Sequence, residues 1–567
     1  MEHESKPLKV VFCWHMHQPE YRSLTSGQYQ QPWTYLHAIK DYIDMVAHLE
    51  AVPEACAVVN FAPTLLEQIS DYAVQVRGYL EQGSPISDPL LAALDAPALP
   101  RGSAERANLV RLCLRANEYR LIERYPDYRR LAERAKLLEG HPELITYFSD
   151  QFLIDLIIWY HLAWIGETVR RQDKRIKKLM KRRVNFAPAD RRFLLEIIAD
   201  LLEQVIPRYK RLAERGQIEL SVTPYAHPIV PLMLSLQSAR ESIPEAPLPE
   251  SSDYPGGAQR ARWHIEEGKR VFKQHFGFEP KGCWPSEGGI SDGTLQILNE
   301  AGFTWTATGE TVLVNSRIMA DKKTGGEKKN WLHRPYRLVD TELDCYFRDD
   351  GLSDLIGFTY ADWHADDAVA NLMHHLENIH ASSKKDAVVS IIMDGENAWE
   401  TYFENGYYFL RALYRKLSDH PNIELTTFSR CASECESKGS LPAVVAGSWV
   451  YGTFSTWIGE KDKNRAWDML CEAKLVFDQV IGENRLDEKR LTQLERQLAI
   501  CEGSDWFWWF GDYNPAEAVQ DFERLYREHL VNLYQLMSKT PPDYLFESFS
   551  YGGGSPQTGG VMRRGQE

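Results

Sequence analysis

This 567-residue chain has no excess of positive charge, no patterned cysteine and no long apolar run, and each lack removes a class of protein. Its 65 Lys and Arg face 80 Asp and Glu, a formal net charge of -15 at pH 7. Nucleic acid and anionic lipid surfaces draw basic proteins through counterion release, so neither is an expected partner. Nine cysteines, an odd number, are scattered from Cys13 to Cys501 without C-x-x-C or zinc-finger spacing, which argues against a disulfide framework. Cys431 and Cys435 stand four apart and read as two thiols on one helix face. The most apolar stretch, FLIDLIIWYHLAWIG at 152–166, is too short to span a bilayer and carries Asp155 and His161. The N-terminal MEHESKPLKVVF lacks the basic-then-apolar order of a signal peptide, so a cytoplasmic location is expected.

What is present is ordinary for a globular protein: 44% hydrophobic and 26% charged residues exclude disorder and fibrous folds. The length exceeds the usual size of one core and predicts a large domain with a smaller companion. One basic stretch, RRQDKRIKKLMKRR at 170–183, offers a polyanion patch; the simpler reading is a solvated helix face with Ile176, Leu179 and Met180 on its buried side.

Short apolar, β-branched runs each lead into loop residues and then a helical pattern, the mark of repeated βα units and a parallel sheet. KVVFCW, ACAVVNF, QIELSV, GCW, TWTAT, LDCYF, AVVSIIM and IELTTF are the candidate strands. Seven or eight such units predict an α/β barrel of the TIM type or a close variant over residues 1–437, with a helical insertion at about 101–215. Strand signals then cease, and long amphipathic patterns predict a helical domain over 438–547. The Gly-rich 548–567 is expected to be disordered.

Five candidate strands run directly into polar clusters: HMHQP, TPYAHP, PSEGG, RDDGLSD and DGENAWE. In barrels of this kind such clusters meet on one rim. Two of their carboxyls, Glu287 and Asp394, each lie beside a tryptophan, Trp284 and Trp399. Apolar neighbours raise a carboxyl's pKa, as an acid that must stay protonated requires, and glycoside hydrolysis needs such an acid together with a second carboxylate. Six of the 16 Trp fall after residue 440, and sugar rings stack on flat aromatics, so Trp457, Trp506 or Trp508 is expected to wall a glucan cleft. His15, His17 and His227 permit a rival: a barrel metal site of a sugar deacetylase or α-mannosidase. Against it, no Asp shares a short ligand spacing with them, and imidazoles hydrogen-bonding sugar hydroxyls are the simpler account.

These motifs resemble glycoside hydrolase family 57. Its five ordered regions match HMHQP (15–19), GQIEL with YAHPIVP (216–220 and 225–231), GCWPSEGG (282–289), MDGENAWE (393–400) and LTTFS (425–429). The resemblance implies an incomplete (β/α)7 barrel followed by a helical domain, a retaining mechanism and no cofactor or obligatory metal. It implies Glu287 as nucleophile and Asp394 as acid/base, with His15, His17, Glu219 and His227 binding substrate. Trp284, Glu396 and Trp399 flank these residues, and Asp354 in LSDLIGF (352–358) takes a supporting part. The forms of HMHQP, DGENAWE and the SDWFWW run look most like the amylase and amylopullulanase branch. Hydrolysis of α-1,4 or α-1,6 glucan is the expectation. Transfer by a 4-α-glucanotransferase or branching enzyme is the alternative, and a non-catalytic glucan-binding protein the third.

Overall fold

In a computed structural model, the structure describes residues 6–95, 99–320, 331–338, 341–383, 386–483, 486–554 and 561–565. Among the described residues ten strands occur in chain order: β1 (Leu8–Met16), β2 (Ala57–Phe61), β3 (Ile218–Val222), β4 (Gly282–Cys283), β5 (Trp305–Thr308), β6 (Tyr336–Leu338), β7 (Asp344–Phe347), β8 (Val388–Asp394), β9 (Ile423–Leu425) and β10 (Gly439–Leu441). All eight apolar runs are among them. Their near-continuous hydrophobicity follows from burial on both faces, as in β1, where all nine residues are buried. β6 and β10 were not foreseen, because YRL and GSL, with Arg337 and Ser440 at their centres, form no apolar β-branched run.

The sheet order is β10-β6-β7-β5-β4-β3-β2-β1-β8, with β9 paired to the start of β1. Pairing is parallel except between β6 and β7. A bridge from Arg348 to Ser390, with Asp349 N donating to Ser390 O at 2.8 Å, joins the end of β7 to β8. The seven parallel strands β8, β1, β2, β3, β4, β5 and β7 thus curl into the incomplete (β/α)7 barrel, followed by helices. Period-2 alternation sorts the side chains. Val11, Cys13, Val58, Trp305, Tyr346, Val388 and Ile392 fill the barrel interior. Val10, Phe12, Trp14, Met16, Val389 and Ile391 face the surrounding helices.

Two boundaries move. The helical stretch expected at 101–215 already begins after β2 and runs from Pro63 to Glu214. The change at 438 falls later, since β10 still joins the sheet and Gly447 bridges to Ile290; the helices start at Lys461 with Lys461–Glu483, Glu488–Cys501, Ser504–Trp509 and Ala516–Leu536. The tail expected to be disordered is packed where it is described. Gly553 N and Gly554 N each donate to Asn514 O at 3.0 Å. Residues 555–560 and 566–567 lie outside the described residues. The basic stretch forms the helix Lys174–Arg182 with Ile176 and Leu179 buried. No helix of the described residues is long and apolar enough to cross a membrane.

Candidate active site

Two adjacent strands set the centre of the site. In β1 the inward series Val11, Cys13 continues to His15, and in β8 the series Val388, Ile392 continues to Asp394; His15 and Asp394 are register partners. Both therefore reach the C-terminal rim by alternation alone. The chain bends after Asp394, where a Cβ on Gly395 would lie 2.1 Å from Met16 Sδ, so a larger residue would force the buried Met16 side chain to move. Asn397 Nδ2 donates to Asp394 Oδ2 at 3.0 Å.

Glu287 follows β4 on a short turn with φ 56° and ψ 25°, a left-handed conformation that costs a non-glycine residue of order 1–3 kcal/mol. Two contacts from one residue hold it there. Trp449 Nε1 donates to Glu287 Oε2 at 2.9 Å, and Trp449 N donates to Glu287 O at 3.0 Å. Glu287 and Asp394 line one cavity of about 270 Å³, together with His15, His17, Glu396 and Trp449.

The three histidines form a stack beside this pair. His17 and His227 lie 3.8 Å apart between ring centroids at 16°, and His15 and His227 lie 5.2 Å apart at 18°. Their hydrogen bonds fix the protons. His15 Nδ1–H donates to Asn60 Oδ1 (2.7 Å), leaving its Nε2 to accept from His227 Nε2–H (3.2 Å), while His227 Nδ1 accepts from Ser504 Oγ (2.8 Å). Burial, with the charge of His17, lowers His15 to about 3 and His227 well below its usual value, so both are neutral. Burial opposes charge on His17 too, but Asp505 at 2.8 Å from Nε2, with Glu287 and Asp394, raises its pKa overall. His17 Nδ1 is buried with no partner among the described residues, a donor available to an incoming hydroxyl. The nitrogens of this trio lie within 4.8 Å of one another, the set a divalent ion would take. The fit is poor, however: nearly parallel rings do not converge their lone pairs on one point, and the His15 lone pair is already engaged by His227.

Burial also raises both catalytic candidates. Glu287 rises to about 8, the Trp449 indole opposing and Asp394 adding to the shift; Asp394 rises to about 6, with Asn397 and His17 opposing. Between pH 6 and 8 the pair therefore holds about one proton. Below that window no carboxylate is left to attack, and above it no acid is left to donate. A bell-shaped kcat/KM with limbs near pH 6 and pH 8 is expected, read from a steady-state pH profile. A flat profile across these values would separate the pair from the reaction.

The remaining residues expected at the site divide. Glu396 lines the cavity, and burial pushes its carboxyl well above the ordinary range. Trp508, 8% exposed, also lines it. Trp284 is wholly buried beneath Trp449, at 5.1 Å between centroids, and Trp399 is buried against Trp14 at 5.8 Å; both are supports rather than cleft walls. Glu219 lies near the start of β3, at the opposite end of the strand from the rim, where it accepts from Trp305 Nε1 (2.6 Å) and Ser429 N (3.0 Å); it braces the barrel interior and does not line the cavity. Asp354 accepts from Arg348 Nη2 at 2.7 Å, and Arg348 itself lines the cavity. Trp457 and Trp506, expected in the cleft, are 0% and 1% exposed core residues. Sequence reasoning missed Trp449, Asp505 and Arg348. Trp449 stands in the aromatic run GSWVYGTFSTWIGE, but nothing local ties it to Glu287, 162 positions away.

A parallel barrel whose rim presents two buried carboxyls in one cavity has the pair of groups that glycoside chemistry uses. The chain belongs to glycosyl hydrolase family 57, whose sequence profile matches residues 11–444. Among solved structures it is similar to the family 57 branching enzyme of Pyrococcus horikoshii, at 15% identity and TM-score 0.57, covering 93% of this chain and 89% of that one. The α-amylase AmyC of Thermotoga maritima is similar at 14% identity and TM-score 0.56, covering 94% and 93%. The 4-α-glucanotransferase of Thermococcus litoralis is similar at 14% identity and TM-score 0.51, covering 94% of this chain and 60% of that chain. At such identities the likeness is one of fold. No curated protein sequence matches significantly.

Proposed function

We propose that this protein is a retaining enzyme acting on α-glucan, with Glu287 as nucleophile and Asp394 as acid/base. The observation that carries the reading is that Glu287 and Asp394, both largely buried, line a single cavity at the barrel rim. Glu287 attacks the anomeric carbon as Asp394 gives its proton to the departing glycosidic oxygen, and the glycosyl-enzyme ester forms as the C–O bond breaks. Water or a sugar hydroxyl then attacks the ester and returns its proton to Asp394, freeing Glu287. The order of the two carboxyls is the reverse of these roles, since burial raises Glu287 further than Asp394. Bound substrate changes this order on our reading: the glycosidic oxygen brings Asp394 an acceptor that favours its protonated form, and Glu287, already held by the Trp449 indole, is left as the carboxylate.

The substrate class is supported by the neighbours in fold, a branching enzyme, an amylase and a glucanotransferase. Hydrolysis of α-1,4 glucan is the outcome we favour, and transfer differs only in what arrives second. Nine buried cysteines with no disulfide among them accord with a reducing, cytoplasmic location. The test is incubation with maltoheptaose and with starch in chelator-treated buffer, resolving products by chain length. Products shorter than the substrate support hydrolysis, and longer ones alongside shorter ones support transfer. Activity that vanishes with chelation and returns only with a divalent ion would favour the metal reading of His15, His17 and His227 and sink the two-carboxyl mechanism.

A further inference from the structure

Residues 561–565 return to the mouth of the catalytic cavity, where Val561, Met562, Arg563 and Gly565 form part of its wall. Their anchors come from three parts of the molecule. Gly565 N donates to Asp354 Oδ2 at 3.1 Å on the barrel rim. Tyr451 N donates to Gly565 O at 3.1 Å, and Arg563 Nη1 donates to Thr456 Oγ1 at 3.1 Å, both in the segment between β10 and the helices. The Arg563 guanidinium lies over the rings of Trp508 and Tyr513 at 4.6 and 4.7 Å from their centroids, in the helical region. Gly565 is seated so closely that a Cβ would come within 2.6 Å of Arg348 Nη1.

This fixing leaves Arg563 with unused capacity. Nε and Nη2 are buried and complete no hydrogen bond of good geometry among the described residues, the Tyr513 hydroxyl interacting with the guanidinium. Buried donors are costly to leave unpaired unless a ligand supplies the acceptor. A guanidinium presents its N–H groups as a rigid planar fork, and vicinal hydroxyls of a sugar ring offer two acceptor oxygens to such a fork. Another aromatic of the same cavity, Trp509, is stacked on Phe522 at 4.9 Å and offers a flat surface for the apolar face of a ring.

We propose that Arg563 is a substrate-binding residue: held by Trp508 and Tyr513, it binds hydroxyls of a glucose unit other than the one being cleaved. The C-terminal segment is thereby a wall of the glucan cleft. The proposal rests on the α-glucan reading above.

The experiment is steady-state kinetics of full-length Arg563→Ala and Arg563→Lys on maltoheptaose, with thermal midpoints measured in parallel. A contact to a ring remote from the scissile bond gives binding shared by ground and transition states. Arg563→Ala is therefore expected to raise KM about tenfold or more while kcat stays within about threefold, with the midpoint lowered by no more than a few degrees for the lost Thr456 and ring contacts. Arg563→Lys keeps the charge and loses the fork, so it should fall between. An unchanged KM in both variants overturns the proposal. So does a lower KM or a higher kcat, which would make the segment an obstruction in the cleft. A wild-type enzyme inactive on every α-glucan tried overturns the substrate reading itself, before any variant is compared.

Discussion

Asp394→Asn and Glu287→Gln are each expected to fold with wild-type thermal midpoints and to lose about a thousandfold or more in kcat, measured on the substrate that the wild type turns over fastest. Both replacements are isosteric and keep the local hydrogen bonds. An amide oxygen at 394 still accepts from Asn397 Nδ2, and one at 287 still accepts from the Trp449 indole. What each removes acts in the reaction: a proton for the leaving oxygen in one case, a carboxylate for the anomeric carbon in the other. The two losses should differ in kind. Asp394→Asn should recover with substrates whose leaving group needs no proton, such as an aryl glycoside of low leaving-group pKa, whereas Glu287→Gln should not. Turnover near that of wild type in either variant would remove that residue from the mechanism, and recovery in Glu287→Gln alone would exchange the two roles.

How much of this was legible in the sequence follows from the range of the interaction concerned. A strand buried on both faces writes its presence into a continuous apolar run, so eight strands could be read directly, and alternation carries His15 and Asp394 to the rim with no further information. Contacts between distant segments leave no such trace. His17 meets Asp505 across 488 positions, and Glu287 meets Trp449 across 162. Glu219 misled for a related reason: its motif places it beside a functional loop in the chain, but it precedes Val222 by three residues, which sets it below the rim. The tryptophans of DWFWWF divide by helix face. Trp506 turns into the core with its indole donating to Ile500 O at 2.7 Å, and Trp508 and Trp509 turn to the cavity. Composition shows that such a run is too aromatic to bury whole, but which ring emerges depends on the helix's angle to the barrel.

The helical region also supplies two of the partners that hold the histidine stack, since Ser504 accompanies His227 and Asp505 accompanies His17. Two residues before Ser504 stands Glu502, 1% exposed, which ties this turn to the barrel helix Gly257–Phe276 and to Tyr254 just before it. Arg260 donates to it bidentately, Nε to Oε1 at 2.9 Å and Nη2 to Oε2 at 2.7 Å; Tyr254 donates to Oε1 at 2.5 Å, and His264 Nε2 lies 2.6 Å from Oε2.

Glu502→Ala should therefore be the most destabilising single change at this junction. It leaves the Arg260 guanidinium, 5% exposed, without its counter-charge, a loss of about 3–5 kcal/mol for a broken buried pair. The acid dependence gives a second signature. Burial works against charge on Glu502, but Arg260 and His264 outweigh it and bring its pKa down from 4.5 to about 2. Burial lowers the pKa of His264 itself, while Arg260 pairs with both carboxylate oxygens. A carboxyl whose folded pKa is depressed stabilises above its unfolded value and loses that contribution as pH falls through the folded one. Wild-type stability should accordingly carry a component that is full above about pH 4.5 and declines toward pH 2, and Glu502→Ala should lack it. Urea unfolding at neutral pH and at pH 3 measures both effects. Because the same turn positions Ser504 and Asp505, the variant should also lose activity at temperatures where it is still folded. An Ala variant as stable as wild type at neutral pH, with the same acid sensitivity, would mean that the clamp contributes nothing net and that apolar packing alone seats the helices on the barrel.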